Sequence, residues 1–93
     1  MQVFDYAQDG EAAERSYIAW TEAHLHRNGY VINRRGQTYM LHVAGCEHFY
    51  DEASGRKLTV NPKTCLESLD EVALWERAHG AINLVSCRSC KPR

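Results

Sequence analysis

From Gly10 onward the chain first repeats with helical spacing. Ala13, Tyr17, Trp20 and His24 fall on one stripe, with Ile18, Thr21 and Leu25 beside it, the recurrence expected of a helix with one apolar face. Asp9 can cap its start, acids crowd the first turn, and His26 and Arg27 sit near the end, where the helix dipole favours positive charge. Asn28-Gly29 stops it. The nine residues before it show no period and read as a loosely ordered arm anchored by Phe4 and Tyr6.

The period then changes to two. Tyr30-Val31-Ile32 is β-branched and aromatic, Asn33-Arg34-Arg35-Gly36 reads as a turn, and Thr38 to Val43 alternates, with Tyr39, Leu41 and Val43 on one side and Thr38, Met40 and His42 on the other. This pattern predicts a β-hairpin, broken at Ala44-Gly45. His48-Phe49-Tyr50 adds a short extended piece, Asp51 to Gly55 a polar turn, and Lys57 to Val60 a weak strand closed by Asn61-Pro62. Ser68 with Glu71 three residues on forms a capping box. A helix follows to His79, with Leu69, Val72, Ala73, Leu74 and Trp75 apolar and Gly80 as its stop. Ala81 to Val85 leads extended into Cys87-Arg88-Ser89-Cys90 and a basic tail.

Ninety-three residues make one domain, divided by this reading into an arm (1–9), a helix (10–28) and a core (29–93). A chain this short buries only somewhat more than about 60% of its unfolded surface, so a covalent or metal staple is a natural addition. No apolar run is long enough to span a membrane and no signal peptide is visible. The expectation is therefore a cytoplasmic protein without a membrane partner, in which paired thiols serve metal rather than disulfides.

The thiols fall at element boundaries. Cys87-x2-Cys90 can turn around one tetrahedral cation, and the partners that would close the site are Cys46, Cys65 and His42. The intervals are His42-x3-Cys46, Cys46-x18-Cys65 and Cys65-x21-Cys87. Cysteine count favours Cys65 as the fourth ligand of a zinc ion. His42 competes with it for that position. The reading inclines to Cys65, with His42 donating from behind a ligand. Disulfides, free thiols and redox use of Cys87 and Cys90 are the alternatives; a redox cysteine usually opens a helix, whereas Lys91-Pro92 follows here.

The order strand, His42-x3-Cys46, helix from Ser68 to His79, Gly80 and Cys87-x2-Cys90 resembles the metal-binding domain of the Ada DNA-repair proteins. Residues 29–90 are also similar to a small, mostly actinobacterial domain, through Gly29-Tyr30-Val31-Ile32-Asn33, Leu41-His42-Val43-Ala44-Gly45-Cys46, Cys65, Trp75 and Cys87-x2-Cys90. The Ada resemblance implies a zinc fold and DNA contact, and it favours His42 as the fourth ligand, since three intervening residues place it on the same turn as Cys46. It does not extend to methyl transfer, because the accepting cysteine of that family is replaced by His42.

The remaining histidines have simpler readings. His24 lies on an apolar stripe as a satisfied core residue, His48 ranks behind His42 as a ligand, and His26 and His79 favour helix ends. The formal net charge is −1, yet residues 1–28 hold five acids against two bases and residues 29–93 nine bases against seven acids. An anionic partner would meet Arg34, Arg35, Arg56, Lys57, Arg88 and Lys91, with Lys63 and Arg93 nearby and Tyr30, Tyr39 and Tyr50 interleaved. No phosphate loop, nucleophile elbow or His-Glu-x-x-His pattern points to an enzyme. The sequence thus predicts an α+β, zinc-stapled, non-catalytic binding module: an N-terminal helix, an antiparallel hairpin sheet, a second helix and a C-terminal knuckle, with both tryptophans anchoring the helices on one core. DNA is the leading partner, another protein the alternative, and thiol redox or alkyl-acceptor chemistry the second alternative.

Overall fold

The computed structural model describes residues 1–25, 28–46, 58–80 and 83–93. The expected extended piece at 48–50, the turn at 51–55, and the side chains of His26, Arg27, Arg56 and Lys57 lie outside these. Strand β1 is Gln2–Phe4, helix α1 Tyr6–Asp9, helix α2 Glu11–His24, strands β2 Tyr30–Arg35 and β3 Thr38–Val43, strand β4 Lys63–Leu66, helix α3 Leu69–Ala78 and strand β5 Leu84–Ser86. The fold is small, mixed α+β. Among the described residues the strands form one sheet in the order β1-β4-β2-β3-β5, antiparallel except where β5 runs parallel to β3.

The arm is ordered. Phe4 is buried, β1 pairs with β4, and Asp5 caps α1 by accepting from the Ala7 N–H. A three-residue strand carries too few alternations to show a period, and β4 hides behind Pro62 for the same reason. The hairpin turn is shorter than expected. Arg34 and Arg35 belong to β2, and the reversal is made by Gly36-Gln37 alone. Gly36 at φ 63° supplies the positive φ that a two-residue type II′ connection needs first. Arg34 and Arg35 consequently point to opposite faces of the sheet.

One helix covers each face. Val31 and Cys65 pack with Phe4, Ala13, Tyr17 and Trp20 under α2, whereas Ile32, Leu41 and Leu66 pack with Val72 and Trp75 under α3. The two tryptophans therefore anchor two separate clusters, not one core, because consecutive residues of the central strand face opposite ways. Each fully buried aliphatic side chain of these clusters contributes roughly 1.5–3 kcal/mol. Ser68 caps α3 as expected, accepting from the Glu71 N–H at 3.1 Å. Only Val72 and Trp75 of its apolar residues are buried; Leu74 is exposed.

The expected strand at 57–60 is, over Leu58 to Val60, a turn and bend held by a carboxylate. Glu14, buried on α2, accepts from the Leu58 N–H, the Thr59 N–H at 2.9 Å and the Thr59 hydroxyl at 2.6 Å. Lys63 is buried on the same sheet face as Val31, donating to Asn33 Oδ1 at 2.6 Å and to the Asn61 carbonyl at 2.9 Å. Gly29 is required by close approach: a Cβ there would lie 2.8 Å from the Cβ of His24.

Burial pushes the Lys63 amine down to about 8, against the partial opposition of Glu14 and Cys65. Between that value and the unfolded one near 10.5 the unfolded chain binds the extra proton, so this lysine makes stability rise with pH across the window. Lys63→Met should abolish that rise. Urea unfolding of both proteins from pH 7 to pH 10 should show the wild type gaining on the variant by up to about 3 kcal/mol.

Candidate metal centre

The sheet register assembles the site. Cys65 pairs with Val31, and Val31 with His42, so the three form one row across β4, β2 and β3. Beyond β3 the Cys87 N–H donates to the Leu41 carbonyl at 2.9 Å, continuing the parallel ladder of β5 and seating Cys87 beside His42. After β3 the chain turns at Ala44-Gly45, closed by the Cys46 N–H on the Val43 carbonyl at 3.1 Å, and this brings Cys46 back. The Cys87–Cys90 knuckle closes through the Lys91 N–H on the Cys87 carbonyl at 3.0 Å, with Lys91 in the left-handed region at φ 47°.

His42, Cys46, Cys87 and Cys90 thus present four donor atoms all within 4.8 Å of one another. His42 Nδ1 lies 3.4 Å from Cys46 Sγ, and Cys46 Sγ 4.0 Å from Cys87 Sγ. A tetrahedral zinc ion with these ligands sets its donors roughly 3.5–3.8 Å apart, so the group fits such an ion with little adjustment. The Val43 N–H donates to Cys90 Sγ at 3.3 Å, a backbone bond of the kind that orients and stabilises a ligating sulfur. The first three side chains are buried and Cys90 half-buried. These residues are close enough to hold a metal ion.

Cys65 is not among them, which corrects the inclination towards it. It stands two strands from His42, about 10 Å by sheet spacing, with the fully buried Val31 between. Its surroundings are apolar, and burial pushes its thiol up to about 12 despite Lys63 nearby. It serves as a small core residue. Residue counting could not reveal this, but strand pairing does. His24 is satisfied as expected: its Nδ1 lies 2.7 Å from the Trp20 carbonyl, and its ring stacks on Trp20 at 4.0 Å. His79 repeats that arrangement on Trp75, a pairing that the i, i+4 spacing of Trp20/His24 and Trp75/His79 already contained.

The basic residues are not brought to one surface. Arg35 lies on the α2 face of the sheet, the face of His42. Arg88 borders, with Met40, Val85 and the centre itself, a recess of about 420 Å³. Arg34 lies on the opposite face, its guanidinium 5.9 Å from the Tyr39 ring centroid. Lys63 is buried, Arg93 is paired with Glu76 at 2.6 and 2.9 Å, and Lys91 is exposed beyond the knuckle. No helix among the described residues is long and apolar enough to cross a membrane. No family model, curated protein or solved structure matches the chain.

The ligand assignment separates two variants. A residue that merely orients a ligand changes metal affinity by about 10–100-fold, so His42→Ala should weaken zinc binding by more than that in competition with a chromogenic chelator. Cys65→Ala should leave zinc affinity unchanged and lower stability by about 1–2 kcal/mol through a small cavity.

Proposed function

We propose that the chain is a zinc-stapled binding module whose partner is nucleic acid, engaged through the basic side chains of the hairpin and knuckle. The observation that carries the staple is the convergence of His42, Cys46, Cys87 and Cys90. Borderline-soft zinc suits one imidazole and three thiolates. Four protein ligands close the coordination shell, which gives the ion a structural role and leaves no open position for substrate. Such a site belongs in a reducing compartment, in keeping with a cytoplasmic protein. Kinship with the Ada metal-binding domain is proposed at the level of this ligand pattern alone.

The nucleic-acid reading is supported by the excess of bases after residue 28 and by the exposure of Arg34, Arg35, Arg88 and Lys91. The hairpin arm carries one arginine on each face at its tip, so it can meet phosphates from either side. Zinc with three thiolates carries a net charge of −1, and Arg88, inside the knuckle, offsets it locally.

Metal removal tests the staple. Structural zinc supplies roughly 10–16 kcal/mol in small fingers, as much as the whole stability of many domains. Stoichiometric zinc in the purified protein and loss of cooperative melting after chelation are expected; a metal-free protein melting at the same temperature would refute the reading. For the partner, titration of labelled duplex and single strands at two salt concentrations should show binding at low salt. The Arg34→Ala, Arg35→Ala double variant should flatten the log K against log salt slope by about 0.7–0.9 per lost phosphate contact.

A further inference from the structure

The sheet face under α3 carries a second feature, away from the metal centre. Between the hairpin and the end of α3 lies a recess of about 240 Å³ bordered by Arg34, Tyr39, Thr64, Trp75 and His79, with Val3 at its rim. Pockets for drug-sized ligands run about 300–1,000 Å³, so this one has room for a single ring system. Its wall is aromatic and preordered. Trp75, buried at its base, meets Tyr39 edge-on at 5.1 Å and is stacked by His79 at 4.1 Å. The His79 ring is fixed by its Nδ1 contact to the Trp75 carbonyl at 2.8 Å, and the residue is exposed. Trp75 and His79 therefore form a two-ring column with one outer face able to receive a third ring.

The charge around the column is complementary to phosphate. Arg34 is exposed above Tyr39 and borders the recess. The nearby Glu76 carboxylate is taken up by the two hydrogen bonds from Arg93, which hold it below its ordinary range. Every base has a flat face, and aromatic or imidazole rings stack on bases that are not buried in a duplex. Resting on the nucleic-acid reading above, we infer that this recess is a subsite for one unpaired nucleotide, the base stacking on His79 and the phosphate held by Arg34. The module thereby prefers single strands, and the shared chemistry does not distinguish DNA from RNA.

The test uses the zinc-loaded protein with Trp20→Phe, so that emission reports Trp75 alone, titrated with oligothymidylate, oligouridylate, a DNA duplex and inorganic polyphosphate. A change in Trp75 emission is expected with one or both single strands, and their relative affinity identifies the sugar preferred. His79→Ala should weaken single-strand binding roughly tenfold, the scale of one lost stack, while His79→Phe, which keeps a ring, should restore it. Position 79 is exposed, and retained zinc content verifies that the variants fold. Single-strand binding with silent Trp75 and an unaffected His79→Ala variant would overturn the subsite while the broader reading stands. So would binding confined to the duplex, or equal competition by polyphosphate without an emission change. Absence of binding to every nucleic acid at low salt would overturn both.

Discussion

Three sulfurs and an imidazole lie within 4.8 Å of one another in a buried corner, close enough to hold a metal ion, and β5 leads directly into that corner. This strand is three residues long and runs parallel to β3. A parallel pairing needs a long crossover, here carried over α3, and recovers little stabilisation from so short a ladder. Closing it across the sequence separation of 41 from Cys46 to Cys87 costs chain entropy before any contact forms. A metal ion held by His42 on β3 and Cys87 after β5 would offset that cost by tying the two elements together. The strand would then depend on the centre more than on its short pairing with the sheet.

The same constraint explains which polar groups can be buried elsewhere. The centre occupies the β3–β5 end of the α2 face, and α2 covers the β1–β4–β2 end through Phe4, Tyr17 and Trp20. Lys63 and Glu14 sit in that covered half, each held by short hydrogen bonds to groups that fix loop residues 58–61. A buried amine and a buried carboxylate are expensive unless paired or hydrogen-bonded. Their positions show that polar chemistry, alongside apolar contact, pins the return of the chain into β4. Cys65, one residue pair further along the same face, is the apolar counterpart: a thiol held neutral by its surroundings.

Much of this was legible in the sequence and some was not, for physical reasons. Long periodic segments announced themselves: the α2 stripe through Ala13, Tyr17 and Trp20, the alternation from Thr38 to Val43, and the Ser68 cap of α3 all formed as their patterns required. Strands of three or four residues, β1, β4 and β5, carry too few alternations to separate from loops. Their pairing is decided by long-range contacts. The ligand set failed at one position for the same reason. Cys65 and His42 are equivalent in a list of donors, and only the registers Cys65↔Val31 and Val31↔His42 place one in the apolar core and the other at the centre. Arg34 and Arg35 show the sharpest consequence of a boundary shift. Read as turn residues they share a tip; as the end of β2 they face opposite ways.

That alternation also divides the molecule's surfaces. A strand offers each successive side chain to a different face, so one hairpin serves two environments at once. On the α2 side, His42 is committed to the centre and Met40 packs against it. On the α3 side, Tyr39 packs against Trp75 and leaves Arg34 above its ring. A metal ion at the centre would hold β3, and β3 carries Tyr39, whose edge contact with Trp75 positions the Trp75–His79 column. A rigid scaffold is what lets aromatic rings hold a geometry at low entropic cost. Closing a metal centre on one face would therefore help order the recess on the other, although no residue bordering that recess belongs to the His42, Cys46, Cys87 and Cys90 cluster.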